Sequence, residues 1–599
     1  MRIMINSFSM KKAFLLLLIL AMGSLAVADT QDYVKGNVIL IKSRIAYFDL
    51  GQNDYITPGQ SFEIYSDKQM LASGKIGWVD KDISKSLLLD STAVASLQSK
   101  RGLTVKIRLY VSGIRRGGYL NIAYFTDLHL DPSSIVTSDE RMVGRLIHRG
   151  LITRDNTGNF VPDLCSDFEI RDLTYTFYLN HGNKFQSGQP LTSEDVVYSF
   201  EQLAKAERLT SSSCFILEIA GAEACRHGIK NEIDGIFLID DSTLSITLKR
   251  QFPAFEDYLA GPGGYIIPKP GIAPFGEDVI GAGPYRIKSH DDNGVVLEPS
   301  EFSGGTATLD SVRFLRFGSV DEAGLAFELG RLDLIALWGE PQPKFVSRGK
   351  YTIQNYRALS YVVFGINGRR ESQKTQIFGK AFSFLLNRDA IIRVILGGSG
   401  AIPIYRTSEV TNQDINLTLP SVADSADYYL DSLGNRPATF KLYVDTAFPV
   451  LSKVARFIEG QLQNKGIKII EKKADFLSFD ESEIDSDLDL YLTCYLPVSG
   501  NPDCVLYPLL SDSLSGQTNF LYTNDEALQT FLDNLHIETD SARRDNLASG
   551  LAQSVAADPP LVFLYQPLLT TITKTNIEGL SVDSTGFIDL RGVSPKAAR

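Results

Sequence analysis

The stretch that decides the fold is residues 160–203, FVPDLCSDFEIRDLTYTFYLNHGNKFQSGQPLTSEDVVYSFEQL. Asp172 makes a turn before an alternating strand over residues 174–179, and a glycine-rich hairpin follows. Thr192 or Ser193 then caps a helix that carries Asp195 in its first turn. These signals predict a strand–hairpin–helix unit.

The composition around this unit is that of a globular protein outside the nucleic-acid-binding classes. The chain has 599 residues, of which 44% are hydrophobic and 22% charged, and its length predicts about four folding units. Its net charge is −12 and basic residues form few clusters, so we expect no nucleic-acid partner. The composition also excludes collagen-like, low-complexity and disulfide-scaffold proteins.

The amino terminus has the pattern of a secretory signal. Lys11 and Lys12 precede an apolar run over residues 13–27, which closes on the small-residue sequence AVA at 26–28. The run is shorter than the roughly 20 residues that a membrane span needs, and the alternative is a buried amino-terminal helix. We expect a signal peptide over residues 1–28, cleaved after Ala28, and a periplasmic mature protein.

Two regions with different patterns follow the signal. Residues 34–107 alternate β-rich runs with turn sequences such as TPGQ at 57–60, and predict a small all-β barrel within residues 29–112. It resembles small barrel domains of bacterial envelope proteins. A glycine- and arginine-rich linker follows at 112–118, and mixed strands and helices then run to the end. We expect helices at 193–207, 376–396, 449–465 and 541–557, and the length of this region suggests two lobes.

The 160–203 stretch closely resembles the signature of family 5 extracellular solute-binding proteins, the oligopeptide- and dipeptide-binding components of ABC transporters. Further segments similar to that family follow in its order. They are LDPSS at 130–134, GAGPYRI at 281–287, FELGRLDLI at 327–335, FGKAFSFLLNRDAII at 378–392, QLQNKGIKI at 461–469 and RRDNLASGLAQSVAADPPLVFLYQ at 543–566.

The resemblance implies an α/β, two-lobed periplasmic-binding-protein-like fold of type II, with an inserted subdomain, after the small barrel-like domain. Lobe I would comprise residues 118–355 and 561–599, with the subdomain at about 137–260, and lobe II residues 356–560. The implied function is capture of a peptide or peptide-like ligand between the lobes for an ABC permease in the inner membrane. The implied protein is a monomer without catalytic residues, cofactor or metal.

In peptide-binding members, an aspartate of the second lobe anchors the ligand's free amino group. It follows a tryptophan and precedes an Asp-Pro. The corresponding segment of this chain is residues 488–510, in which Asn501-Pro502-Asp503 aligns with the Asp-Pro. A residue near Tyr495 replaces the tryptophan, and Val498 or Ser499 replaces the aspartate. Asp503 could serve from a shifted position or cap a helix.

Further candidate ligand residues, each of which could instead fill a core, come from the lobe edges. They are Tyr124, Phe125, Thr126, Phe215, Trp338, Tyr361, Phe364 and Asn367.

Three questions stay open on the sequence alone. A binding fold used as an envelope sensor or scaffold, with the β domain as its docking module, is the main alternative function, and a hydrolase is the second. The spacing of Cys214 with Cys225 and of Cys494 with Cys504 allows two disulfides with Cys165 left over. The ligand's identity is the third.

Overall fold

The computed structural model describes residues 33–595 with internal gaps. The gaps are 43–44, 51–60, 67–68, 80–82, 87–96, 98–99, 101–102, 109–117, 156–157, 270–278, 303–306, 345–350, 372–374, 407–413, 433–437, 477–486, 516, 520, 522 and 524. The predicted signal peptide, the TPGQ turn and nearly all of the predicted linker lie outside the described residues. The chain divides into two compact units, residues 1–113 and 114–599.

The first unit is a closed β-barrel, which confirms the predicted small all-β domain. Its strand order is β1-β2-β5-β4-β3-β6. Alternate side chains point inward, and Phe48, Phe62 and Ile64 fill the interior at 1% exposure or less. The strands are β1 (Tyr33–Lys42), β2 (Ile45–Phe48), β3 (Ser61–Ser66), β4 (Gln69–Val79), β5 (Ser84–Ser86) and β6 (Thr104–Arg108).

The second unit alternates strands and helices. Its strands are β7 (Tyr119–Tyr124), β8 (Ile152–Arg154), β9 (Phe160–Pro162), β10 (Cys165–Arg171), β11 (Thr174–Leu179), β12 (Ile236–Asp240), β13 (Thr243–Thr247), β14 (Tyr285–Asp291), β15 (Gly294–Pro299), β16 (Ser311–Arg316), β17 (Leu334–Trp338), β18 (Tyr351–Arg357), β19 (Tyr361–Ile366), β20 (Gly400–Ala401), β21 (Ile404–Arg406), β22 (Asp414–Asn416), β23 (Ala438–Asp445), β24 (Ile467–Ala474), β25 (Leu490–Tyr495), β26 (Val562–Lys574), β27 (Ile577–Glu578), β28 (Ser581–Val582), β29 (Ile588–Asp589) and β30 (Ser594–Pro595).

The helices complete this α/β unit. They are α1 (Ser138–Ile147), α2 (Ser193–Lys205), α3 (Ala222–Arg226), α4 (Phe255–Leu259), α5 (Val320–Glu328), α6 (Gly368–Glu371), α7 (Thr375–Leu385), α8 (Arg388–Ala390), α9 (Ala423–Ser432), α10 (Leu451–Gln463), α11 (Pro502–Val505), α12 (Tyr507–Leu510), α13 (Glu526–Ile537) and α14 (Ser541–Ala557). A π-helical turn, Ile391–Ile395, follows α8, and short 3-10 turns lie at Cys214–Glu218, Pro262–Gly264 and Asp512–Leu514.

One continuous sheet builds both lobes. Its order is β14-β15-β16-β7-β17-β26-β19-β25-β23-β24. We call the part from β14 to β17 the first lobe and the part from β19 to β24 the second lobe. Strand β26 belongs to both, because residues 569–573 pair with β17 and residues 562–565 pair with β19. The predicted two-lobed α/β fold is confirmed, whereas the predicted lobe boundaries stay predictions.

The subdomain is built from residues 160–203 together with β12 and β13. Strands β10 and β11 join β13 and β12 in a four-stranded sheet, and α2 follows the hairpin. Asp172 takes a positive φ of 53° in the β10–β11 turn, the left-handed conformation that Asp tolerates better than most residues. At the start of α2, the Thr192 backbone N–H and hydroxyl both donate to the Asp195 carboxylate, at 2.8 and 3.0 Å.

The cores show how the lobes meet. Helix α1 packs on one face of the first-lobe sheet and α5 on the other. Helices α7 and α10 cover one face of the second-lobe sheet. A further core is continuous from Phe177 and Phe200 of the subdomain to Leu532 and Leu551 of the second lobe. The lobes are therefore in a closed arrangement, with apolar contact across the interface between them.

Candidate functional site

The interface between the lobes centres on the second-lobe segment that follows β25. Arg141 projects from α1 of the first lobe and is only 4% exposed. Its two Nη groups donate to the carbonyl oxygens of Leu496, at 2.7 Å, and Pro497, at 3.0 Å. Burial lowers the pKa of Arg141, because removing the charged guanidinium from water is unfavourable. One side chain thus links the two lobes through two charge-assisted hydrogen bonds.

Aromatic side chains fill the space beside this contact. Tyr258 of α4 stacks on Phe215 with ring centroids 5.5 Å apart, and its hydroxyl lies 3.4 Å from the carbonyl oxygen of Asp503 in the second lobe. Tyr495 is buried and its hydroxyl donates to the carbonyl oxygen of Cys504 at 2.5 Å. Phe215 and Tyr495 are thus two sequence-predicted ligand residues that the fold brings to the interface.

Asn501 is a polar bridge across the same interface. Its Nδ2 donates to Asp257 of α4 at 2.8 Å, and its Oδ1 accepts from Arg544 of α14. The same Oδ1 caps α11 by accepting from the Asp503 N–H, and Ser499 accepts from the Asn501 N–H at 3.0 Å. The helix cap is therefore Asn501, and the capping role considered for Asp503 is wrong.

Asp503 belongs instead to a buried charge cluster that spans both lobes. Its carboxylate binds Arg544 and lies 3.1 Å from Nδ1 of His536. Nε2 of His536 lies 3.3 Å from the Glu218 carboxylate on the subdomain, and Arg250 binds Glu218 with two hydrogen bonds of 2.8 and 2.9 Å. The members are Glu218, Arg250, Asp503, His536 and Arg544.

The charges of the cluster counteract the effect of burial on His536 and Glu218. Burial alone would lower the pKa of His536, but hydrogen bonds and charges from Asp503 and Glu218 outweigh it and raise that pKa. Burial alone would raise the pKa of Glu218, and His536 and Arg250 reverse the effect and hold it below the usual range. Tyr507 and Phe252 stack on the imidazole with centroids 4.1 and 4.6 Å away, and exclude water from it.

Acidic groups of the two lobes interact electrostatically at the carboxyl end of β23. Burial raises the pKa of Asp445 to about 7, opposed by the Thr493 hydroxyl and the Ala447 N–H and reinforced by the charges of Asp475 and Glu140. Glu140 belongs to α1 of the first lobe, where it accepts from the Thr137 N–H in a capping box. Asp445 is thus a buried second-lobe carboxylate subject to first-lobe charge.

The remaining sequence-predicted residues lie on strands of the large sheet or directly after them, and Tyr361 pairs with Tyr495 across β19 and β25. Tyr124 packs in the core under α1 and Phe125 against the core under α5, and Thr126 follows with a buried Oγ1 that lacks a hydrogen-bond partner. Trp338 packs against the cores of both lobes.

Three more predicted residues lie on β19 or directly after it. Phe364 is buried in the second-lobe core. The Tyr361 hydroxyl donates to the Ile404 carbonyl at 2.9 Å, and Asn367 Nδ2 to the Leu488 carbonyl at 3.0 Å. A ligand role for any of these residues stays a prediction.

Sequence patterns did not predict several residues that make contacts across the interface between the lobes. Arg141, Glu218 and His536 lie far apart in sequence and in no motif, so only the fold brings them together. All five cysteines are described, buried and free, so neither of the two pairings that the spacing allowed is present. Among the described residues, no helix is long and apolar enough to cross a membrane, and no three His, Cys, Asp or Glu side chains are grouped to hold a metal.

Comparison with known proteins gives relatives across most of the chain. The periplasmic oligopeptide-binding protein OppA of Salmonella typhimurium is 23% identical over 478 residues, which cover 75% of this chain and 87% of OppA. The glutathione-binding protein GsiB of Pectobacterium atrosepticum is 22% identical, covering 76% and 89% of the two chains.

A solved structure shows the same fold. The oligopeptide-binding protein AppA of Bacillus subtilis, in complex with a nonapeptide, superposes with a TM-score of 0.67 at 18% identity, covering 81% of this chain and 100% of AppA. The model of the bacterial extracellular solute-binding proteins, family 5 (middle), matches residues 159–517, more than half of the sequence. The chain therefore belongs to the family 5 bacterial extracellular solute-binding proteins.

Proposed function

We propose that this protein captures a peptide or peptide-like ligand between its two lobes and delivers it to an ABC permease for import. The observation that carries the proposal is the closed interface, in which the second-lobe segment 495–503 binds the first lobe through Arg141, Asp257 and Tyr258. A ligand that enters this interface must replace those contacts. The relatives' oligopeptide and glutathione names, and the nonapeptide bound to AppA, support a peptide ligand.

The mechanism is lobe closure without covalent chemistry. Opening exposes the Arg141 guanidinium and the carbonyl oxygens of Leu496 and Pro497, which are a donor and two acceptors suited to a peptide backbone. These groups bind the main chain, so they favour ligands of varied sequence. Strand β26 joins the two lobes and, with the chain between β18 and β19, provides the connection about which they move.

Asp445 would supply the acid that the sequence lacks at Val498 or Ser499. Its carboxylate is buried in the second lobe and is subject to the Glu140 charge from the first. A ligand ammonium beside it would favour the ionised carboxylate and lower its pKa from about 7. We therefore assign to Asp445 the recognition of a free amino terminus.

The protein would be a periplasmic monomer, exported by a cleaved signal peptide, with no nucleic-acid partner and no catalytic activity. The relatives' names favour transport over the sensor or scaffold function.

The test is native mass spectrometry of the purified protein combined with thermal shift against synthetic peptides. Adducts with peptide masses, or a melting temperature that rises with peptide concentration, are expected, because a ligand at 100 times its Kd stabilises by about 2.7 kcal/mol. Amino-acetylated versions of the same peptides are the matched controls and should bind at least 10-fold more weakly. If no free or acetylated peptide binds, capture of peptides is refuted; if both bind equally, the role of Asp445 is refuted.

A further inference from the structure

A cavity lies at the carboxyl-terminal end of α1, beside the strands of the first lobe. Its volume is about 380 Å³, within the size range of small-molecule sites. The last turn of α1, strand β8, the segment before β14 and the turn after β29 form its walls. Its ionisable and phenolic lining comprises Arg145, Arg149, Asp163, Tyr265, Asp589 and Arg591, with His148 beside them.

Two of the three arginines are fully engaged by aspartates. Nε of Arg149 donates to the Asp163 carboxylate at 2.8 Å, and Nη2 lies 2.6 Å from the same oxygen. Arg591 binds both carboxylate oxygens of Asp589, at 2.7 Å through Nη2 and 3.1 Å through Nε. Burial alone would raise the pKa of Asp589, but Arg591 outweighs it and holds that pKa at about 2. Each of these two pairs joins one guanidinium to one carboxylate, so it adds no net formal charge to the lining.

Arg145 is the arginine left with weak partners. Its Nη2 lies 3.4 Å from the Thr153 hydroxyl and 3.7 Å from Asp589, a carboxylate already bound by Arg591. The Cζ atom of the guanidinium lies over the Phe587 ring, 4.8 Å from the ring centroid. In this arrangement the N–H groups around the edge of the guanidinium can still donate to other acceptors. Burial and the Arg591 charge lower the pKa of Arg145. Arg145 has five N–H donors, so the described residues leave most of its donor capacity unused.

Tyr265 adds a hydroxyl to the lining without adding negative charge. Tyr265 stacks on His148 with centroids 5.5 Å apart, and burial raises the pKa of its hydroxyl, with the charges of Arg145 and Arg591 opposing. The hydroxyl is therefore a protonated donor. Burial lowers the pKa of His148 to about 4, so the imidazole is neutral. Three arginines against two aspartates leave the lining with one net positive charge.

We propose that this cavity is an anion-binding site for the carboxylate or phosphate group of a small ligand, with Arg145 and the Tyr265 hydroxyl as its donors. An oxyanion there would accept two parallel hydrogen bonds from the guanidinium and neutralise the excess charge. The lining contains none of residues 495–503, so the site is built without the segment assigned to peptide capture. Failure of either proposal leaves the other standing.

The test is calorimetric titration of the full chain with inorganic phosphate and, separately, with acetate, at constant ionic strength. Saturable one-site binding of at least one anion is expected, and the stronger of the two identifies the ligand group. Arg145→Met should weaken it at least 10-fold and Arg145→Lys less. Arg393→Met, at an arginine with an 80% exposed side chain, is the matched control and should leave it unchanged. Absence of saturable binding by both anions, or full binding in Arg145→Met, would overturn the proposal.

A second measurement needs no variant and covers the case in which Arg145→Met fails to fold. Phenylglyoxal modifies accessible arginines, and peptide mapping by mass spectrometry reports the extent at each one. Phosphate or acetate should slow modification of Arg145 several-fold and leave Arg393 unaffected. Equal rates at Arg145 with and without both anions would also overturn the proposal.

Discussion

His536 is the residue whose replacement tests the buried charge cluster most directly. It is 2% exposed and lies between Asp503 of its own lobe and Glu218 of the subdomain. His536→Phe keeps an aromatic ring between Tyr507 and Phe252 and removes the imidazole that lies between the two carboxylates. The substitution therefore isolates the charge from the packing.

The expected loss of folding free energy depends on the ion-pair partner that each carboxylate keeps in the variant. Removing one partner of a buried ion pair costs about 3 to 5 kcal/mol. Glu218 keeps Arg250, and Asp503 keeps Arg544, so we expect the lower end, about 3 kcal/mol at pH 6. The folded pKa of His536 is raised, so its stabilisation is complete below the unfolded pKa of about 6.5 and is lost as pH rises through the folded pKa. The cost of the substitution should therefore shrink towards pH 9.

The assay is urea unfolding followed by the fluorescence of Trp338, which packs on both lobes, with Trp78→Phe as background. The free energy of unfolding should fall as pH rises above about 6.5 in the parent, and should fall less in the His536→Phe variant. A loss below about 1 kcal/mol at pH 6, or an equal pH slope in both proteins, would refute a charged His536.

Three further outcomes follow from the interface. Burial raises the pKa of Asp445 to about 7, so ionisation of this carboxylate lowers the stability of the folded protein as pH rises from about 4 to 7. Asp445→Asn should therefore raise the melting temperature at pH 8 but not at pH 4. Equal shifts at the two pH values would contradict a buried carboxylate with a raised pKa. Arg141→Met should leave two carbonyls without donors and cost about 3 kcal/mol, with faster hydrogen exchange near residue 496 and unchanged exchange in the barrel. Trp338→Ala should cost about 3 kcal/mol in urea unfolding, whereas a purely ligand-binding Trp338 would leave stability unchanged.

Local signals in the sequence predicted the elements that depend on neighbouring residues. The strand over 174–179 and the helix from Ser193 are present because turn, alternation and capping residues all lie within a few positions of one another. The helix predicted over residues 541–557 has the same bounds in the structure.

The helix expected over 376–396 breaks instead at residues 386–387. Asn387 accepts from the Ala390 N–H and starts a separate short helix, a competition with the backbone that hydrophobic periodicity does not register.

The interface was less predictable because its partners come from distant parts of the chain. Glu218, Asp503 and His536 meet only after both lobes have formed, and each alone resembles an ordinary charged residue. The motif alignment led to Tyr495, Asn501 and Asp503, which do lie at the interface, but it could not supply their first-lobe partners. Trp338 was chosen for its aromatic ring, and the fold uses that ring where the two lobes join.

The shared strand β26 also fixes when the chain can complete its fold. Residues 562–574 hydrogen-bond to β17, β18, β19 and β20, all of which precede them in the sequence, so the sheet lacks a central strand until β26 has been synthesised. Each lobe must hold an open strand edge until then, and open edges invite pairing with other chains. Completion of both lobes thus waits for β26, and loss of this strand would disable both lobes together rather than one.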